Sequence, residues 1–217
     1  TGTNLTGASL DGNLQAGISA TGGTVVNDTQ ITALFTVGLG ASLGSQTIIV
    51  TTAAGASNGV GFKVNLPLPP TLTGASPNVG VQGTSLKVSL TGTNLLGSSA
   101  ISAGPGITVS NLAIVSSTQV TATFTIGAGV ATGSQNVTIV TPGGTSLPIG
   151  FTINQPLPAL TNINPVAGVQ GGSVNVTLTG TNLTGATAIS AGSGITVSNL
   201  VAVNGTQVTA SFVIGAG

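Results

Sequence analysis

TQVTATFTIG, at Thr118–Gly127, decides the fold. Val120, Ala122, Phe124 and Ile126 alternate with Thr121, Thr123 and Thr125, so one face is apolar and the other hydroxylated. That period of two is the pattern of a half-buried β-strand. The phrase returns as TQITALFTVG at Thr29–Gly38 and as TQVTASFVIG at Thr206–Gly215. Other markers repeat around it. TGTNL stands at Thr1, Thr91 and Thr179, giving periods of 90 and then 88 residues. The five phenylalanines fall into two slots. Phe35, Phe124 and Phe212 occupy the first, and Phe62 and Phe151 occupy the second, in VGFKVN and PIGFTIN. A period this long makes each repeat a small domain, because solenoid repeats run roughly 20–50 residues.

The one full repeat, from about Pro70 to Asn154, shows the remaining strands. SLKVSLTGTNL places Leu86, Val88 and Leu90 on one face. AISA, ITVSNLAIV and NVTIVT follow, and a PGG turn leads into SLPIGFTIN, where Ile149, Phe151 and Ile153 align. About seven short strands bounded by Gly, Pro, Asn and Ser turns predict an all-β, antiparallel sandwich of immunoglobulin type. The expected organisation is a partial repeat over residues 1–66, a complete one over 67–154 and a partial one over 155–217. The Phe side chains are the only large rings available, so all five are assigned to cores. NLPLPPTL (Asn65 to Leu72) and NQPLPAL (Asn154 to Leu160) join the repeats. Their prolines fix φ and remove donors, which predicts short, stiff connectors.

Composition narrows function by exclusion. The 217 residues include 2 Lys or Arg, 2 Asp or Glu, and no His, Cys, Met, Trp or Tyr. Disorder is not expected, since 40% of residues are hydrophobic and they alternate cleanly. No apolar run approaches the roughly 18 residues of a membrane-crossing helix, so no membrane insertion is expected in this segment. Nucleic-acid binding lacks its basic patch. Catalysis needs His, Cys, paired carboxylates or an activated Lys within mutual reach, and no such set can be assembled, so no enzyme activity and no cofactor are expected. The hydroxyl- and amide-rich composition points to a secreted or cell-surface protein. The sequence does not begin with Met, and it reads as a piece of something longer.

Ser76 to Gly97, SPNVGVQGTSLKVSLTGTNLLG, and its copy Asn164 to Gly185, NPVAGVQGGSVNVTLTGTNLTG, share a Pro, a Gly-rich turn and an alternating strand ending in G-T-N-aliphatic. This pattern resembles the opening of IPT/TIG domains, which are immunoglobulin-like modules. The closing phrase GSQNVTIVTPGGTSLPIGFTIN is similar to the same family, in particular its bacterial surface-protein branch. The resemblance spans essentially the whole chain. It implies an immunoglobulin-like fold and a role in extracellular structure or adhesion. It carries over no catalytic residues. Family members that contact DNA do so with basic loops, which this sequence lacks.

Several candidate sites dissolve on inspection. GLGASLG (Gly38 to Gly44) and GAGVATG (Gly127 to Gly133) look like phosphate-cradling loops, but such a loop needs a helix after it and a strand is expected instead. Asp11 and Asp28 are too few for calcium, which takes six to eight oxygens. Asp28 becomes Ser117 and Gly205 in the other copies, as an ordinary turn residue would. Lys63 and Lys87 could form isopeptide links, yet Thr152 and Asn175, respectively, stand at their counterparts. Exposed strand lysines that discourage edge pairing are the plainer reading.

The threonine rows stay open. Thr121, Thr123 and Thr125 point outward, echoed by Thr206 and Thr209 and by Thr29, Thr32 and Thr36. They serve as solvated β-formers, as attachment points for O-linked glycan, or as an ice-binding array, which a twisted sheet disfavours. Asn-X-Thr sequons at Asn4, Asn27, Asn136, Asn175, Asn182 and Asn204 are candidate N-glycan acceptors.

A surface almost without ions has weak colloidal repulsion and tends to associate. The expectation is a mechanical segment of a long extracellular fibre, filament or adhesin stalk, partnered by other copies or neighbouring repeats and coated by covalent glycans. The alternative is a ligand-binding spacer that recognises a protein or polysaccharide through loops such as Ser98 to Gly106. The first repeat is expected to lack its opening strands and the third its closing pair. Continuity with further repeats is the favoured explanation, and strand donation by a neighbouring molecule is the rival.

Overall fold

The computed structural model describes residues 1–10 and 12–217, and these are strands, turns and loops throughout. Asp11, considered above as a calcium ligand, lies outside the described residues. No helix among the described residues is long and apolar enough to cross a membrane. Contacts divide the chain into two compact units: Thr1–Gly80 with Thr84–Ile153, and Asn154–Gly217 with Val81–Gly83. The first unit holds the first two repeats.

In the first repeat the strands are β1 (Gly12–Gln15), β2 (Ile18–Asn27), β3 (Gln30–Val37), β4 (Gly44–Ile48), β5 (Thr51–Thr52), β6 (Gly55–Ala56) and β7 (Val60–Val64). They form a sheet in the order β1-β2-β3 and two ribbons, β4-β7 and β5-β6. The middle repeat contains β8 (Thr71–Ser76), β9 (Val79–Val81), β10 (Ser85–Thr93), β11 (Ala100–Ser102) and β12 (Ile107–Ser116). It continues with β13 (Gln119–Ile126), β14 (Gly133–Thr141), β15 (Gly144–Thr145) and β16 (Ile149–Asn154). Its two sheets run β12-β13-β10-β8 and β11-β14-β16-β9, with β15 added to β14. The third repeat has β17 (Ala159–Asn164), β18 (Ser173–Thr181), β19 (Ile195–Asn204) and β20 (Gln207–Ile214), ordered β17-β18-β20-β19. The chain is all-β, and its repeat is an immunoglobulin-like antiparallel sandwich.

The middle repeat shows why alternation produces this fold. β13 turns Val120, Ala122, Phe124 and Ile126 inward, and β10 adds Val88 and Leu90 in register with Ala122 and Val120. The facing sheet supplies Val137, Ile139, Phe151 and Ile153, all buried in the same cluster. Phe124 and Phe151 have no exposed surface and meet edge to face, with centroids 5.3 Å apart. Burying each ring contributes about 2–3 kcal/mol, plus roughly 1 kcal/mol for the aromatic pair. Phe35 and Phe62 repeat that contact at 5.7 Å, but both remain half-buried. Phe212 is buried against Val176 and Ala210.

Nine strand segments occupy the middle repeat where the sequence pattern predicts about seven. The difference arises at two places. At Pro77, which has no N–H for a ladder, the opening strand leaves one sheet as β8 and enters the other as β9. At Pro142 and Gly143 the chain turns back tightly enough for β15 to pair with the end of β14.

The reading of Lys87 as an edge guard is overturned. β10 lies between β13 and β8, and Lys87 pairs with Thr123 inside the sheet. The edges are protected differently. On edge strands β12 and β19 the register slips at Ser110/Ala113 and Ser198/Val201, beside Asn111 and Asn199 with φ of 52° and 50°. Gly22, φ 64°, marks the matching bulge in β2, the middle strand of its sheet, on the part of β2 that β1 does not pair. Asn tolerates this left-handed conformation better than other side chains, and a bulge twists an edge away from a flat partner. Backbone irregularity here does what charge does in most sheets.

Candidate functional site

The recurrent TGTNL is the feature that the structure explains most fully. Its Gly N–H donates to the carbonyl of a hairpin turn in every repeat: Gly2 to Thr29 at 2.9 Å, Gly92 to Thr118 at 3.0 Å and Gly180 to Thr206 at 3.0 Å. Its Leu N–H does the same to Asp28, Ser117 and Gly205, at 2.9 Å each time. Leu5, Leu95 and Leu183 are buried. Between them Asn4, Asn94 and Asn182 take positive φ values of 59°, 57° and 56°. That conformation suits Asn and turns the chain out of the strand.

The asparagine does more than turn. Asn94 donates from Nδ2 to the Pro69 carbonyl oxygen at 2.9 Å, and Asn182 donates to the Leu157 carbonyl at 2.9 Å. Pro69 and Leu157 belong to the proline-rich connectors, so each repeat grips the connector that leads into it. Glycine provides the close approach. A Cβ on Gly92 would collide with the Thr71 carbonyl, and one on Gly180 with the Ala159 carbonyl. In the first unit a Cβ on Gly143 would likewise strike the Leu68 carbonyl, so the connector also lies against the β14–β15 turn. This joint is made of backbone, amide and glycine, with no charge. The sequence marks TGTNL as a repeat signature but does not disclose the clasp, whose partners are 25 residues apart.

The hydroxyl face is only partly exposed, and some of its hydroxyls are engaged. Thr121 and Thr123 are half-buried and Thr125 is exposed. Ser85 Oγ donates to Thr125 Oγ1 at 2.9 Å, and Asn111 Nδ2 donates to Thr123 Oγ1 at 3.3 Å. The sequon asparagines Asn4, Asn27, Asn136, Asn175, Asn182 and Asn204 are all exposed, in three kinds of place. Asn136 and Asn175 stand within strands, and Asn175 Oδ1 accepts from Ser211 at 2.6 Å. Asn4 and Asn182 belong to the joint. Asn27 and Asn204 close hairpins, where Oδ1 accepts from both the N–H and the hydroxyl of Thr29 or Thr206 at 2.8–2.9 Å. Ser116 and Thr118 form the matching turn in the middle repeat.

The remaining candidates take ordinary places. Gly38 to Gly44 and Gly127 to Gly133 connect strands, β3 to β4 and β13 to β14. Asp28 is an exposed turn residue that accepts from Thr6 Oγ1 at 3.0 Å. No group of three His, Cys, Asp or Glu is gathered among the described residues. Along Ser98 to Gly106, Ser98 Oγ donates to the Leu95 carbonyl at 2.6 Å, Ser99 N–H reaches Val140, and Ala103 is buried. The stretch is not all loop: Ala100–Ser102 are β11, paired with β14, and tie it down. The hollow beside it, about 410 Å³, is lined by Pro105, Gly106, Gly127, Gly129, Val130 and Ala131 and offers no polar side chain.

No family model matches the chain, and no curated protein matches it. Solved structures similar to it include the Escherichia coli adhesin FdeC, at 20% identity and a TM-score of 0.37 over 97% of this chain and 77% of that one. The Yersinia pseudotuberculosis adhesin InvE aligns at 18% identity and TM-score 0.36 over 68% of this chain and 52% of its own. SGBP-B, from a xyloglucan utilization locus of Bacteroides uniformis, aligns at 19% and 0.31 over 84% and 50%. The chain thus spans about half the length of the last two. Likeness this loose carries no argument about activity or partners.

Proposed function

We propose that this chain is a structural segment of a long extracellular fibre, filament or adhesin stalk of the IPT/TIG kind, acting mechanically and without catalysis. The observation that supports this reading is the repeated joint. Two connectors are each held by proline, by a glycine crossing and by a side-chain amide bond at the same position. A connector fixed at several points on the repeat that follows it keeps one path there, whereas a Gly/Ser-rich connector would not. The near absence of charge and the exposed hydroxyls and sequons fit a secreted, glycan-coated surface whose partners are further repeats of its own kind.

Immobilising the chain on a glycan array, with a parallel pull-down against surface proteins, tests the reading. Absence of saturable binding supports a mechanical role. Specific binding that is lost when Ser98 to Gly106 is replaced would favour a ligand-binding spacer.

A further inference from the structure

The dipeptide Asn-Gly occurs twice, at Asn58–Gly59 and at Asn204–Gly205. Glycine has no Cβ, so the main-chain nitrogen that follows the asparagine is unshielded. Attack of that nitrogen on the asparagine Cγ closes a five-membered ring. The fold treats the two dipeptides in opposite ways. Asn204 ends β19 and pairs with Gln207. Its Oδ1 accepts from the Thr206 N–H at 2.8 Å and from the Thr206 hydroxyl at 2.9 Å. Swinging its amide onto the Gly205 nitrogen would break both bonds.

Asn58 lies between β6 and β7, outside any strand, and both it and Gly59 are exposed. Its main-chain carbonyl accepts from Ser57 Oγ at 2.8 Å. Its side-chain amide and the Gly59 N–H have no hydrogen bond among the described residues. This openness belongs to the place itself. In the middle repeat, where two four-stranded sheets face each other, the counterparts Leu147 and Pro148 are exposed as well, Leu147 at 85%. A Cβ at position 59 would run into Thr47 Cγ2, so the fold keeps glycine there.

We infer that Asn58 is a site of self-modification, at which the chain converts its own side-chain amide into a carboxylate. The Gly59 nitrogen gives its proton to water and attacks Cγ of Asn58. The N–Cγ bond forms, the Cγ–Nδ2 bond breaks, and Nδ2 leaves as ammonia with a proton taken from water. A second water then opens the cyclic imide at either carbonyl. One opening gives aspartate. The other gives isoaspartate, which carries an extra carbon in the main chain just ahead of β7. No electrons are transferred, and water is the only co-reactant. Either product adds a carboxylate to a chain with only 2 acidic residues. The middle repeat cannot follow, because Pro148 has no N–H to lose. The inference is independent of the proposed function.

The test follows both dipeptides in the same molecule. The full chain is incubated at mildly alkaline pH, digested and mapped by mass spectrometry, and isoaspartate is counted with an isoaspartate-specific methyltransferase. The peptide holding Asn58 is expected to gain about one dalton, and isoaspartate, at least tenfold faster than the peptide holding Asn204. In urea strong enough to unfold the chain the two rates are expected to converge, because only the fold distinguishes the dipeptides. Asn58→Gln, whose longer side chain closes a ring far less readily, should remove most of the isoaspartate from the folded chain. The inference is overturned by an Asn58 peptide that keeps its mass, or by an Asn204 peptide that converts as fast in the folded chain. It is equally overturned by a rate difference that persists in urea, or by isoaspartate undiminished in Asn58→Gln.

Discussion

Asn94 donates its side-chain amide to the carbonyl oxygen of Pro69, 25 residues earlier, at 2.9 Å. The residue is held at φ 57°, so two properties of asparagine are used at once: tolerance of a left-handed backbone and a donor on a short arm. They can be separated. Asn94→Gly keeps the backbone and loses the bond, while Asn94→Ala loses both. Urea unfolding of the first unit should show a loss of about 1 kcal/mol for the first change and about 2 kcal/mol or more for the second. Asn94→Gly as stable as the original chain would show that the bond contributes nothing, and equal losses in the two variants would show that the left-handed backbone does not.

Gly92 and Gly180 are crossed by the connector so closely that any Cβ meets a carbonyl oxygen. Gly92→Ala should therefore destabilise by about 1–3 kcal/mol or more, as overpacking does. Gly2→Ala, with only Leu5 nearby, should be near neutral. Thermal unfolding of the two variants checks the contrast. It fails if Gly2→Ala is as damaging as Gly92→Ala.

The ring pairs offer a graded comparison. Phe151→Ala removes a fully buried ring 5.3 Å from Phe124 and should cost about 3–5 kcal/mol. Phe62→Ala removes a half-buried ring 5.7 Å from Phe35 and should cost about half as much. Denaturant midpoints with an unchanged slope would measure both.

How much of this was legible in the sequence follows from the range of each interaction. Alternation around Phe124 and Phe151 is local, so strands, faces and turns could be read directly, and the period of TGTNL exposed the repeat. The crossing of the opening strand between sheets at Pro77 was not legible, because it depends on which sheet each half finds. Lys87 misled for the same reason: edge or centre is a property of sheet order. The clasp escaped because its partners lie 25 residues apart and neither belongs to a familiar motif. The recurrence of Asn after Thr-Gly-Thr in all three copies, where strand chemistry asks for no asparagine, was the available signal.

Self-association of the chain should be nearly indifferent to salt. With 2 basic and 2 acidic residues in 217, there is little electrostatic attraction to screen and little repulsion to relieve. Sedimentation at low and high ionic strength should give the same distribution. A strong salt dependence would mean that the few ions, and not the uncharged surface, govern assembly.

The glycan coat has a direct readout. Material from the native source should exceed the 20.5 kDa polypeptide mass of this segment by discrete glycan increments. Among the sequons, Asn27 and Asn204, exposed at hairpin ends, are the expected carriers. An unmodified mass would remove the coat and leave association as the consequence of low charge.

Electron microscopy of the parent protein, taken from its native source, tests the central claim most directly. A mechanical segment with clasped connectors predicts long, beaded threads of uniform curvature. Substituting every TGTNL asparagine by alanine should make the same threads bend freely between beads. Compact particles from the native protein, or threads whose bending is unaffected by those substitutions, would contradict the account.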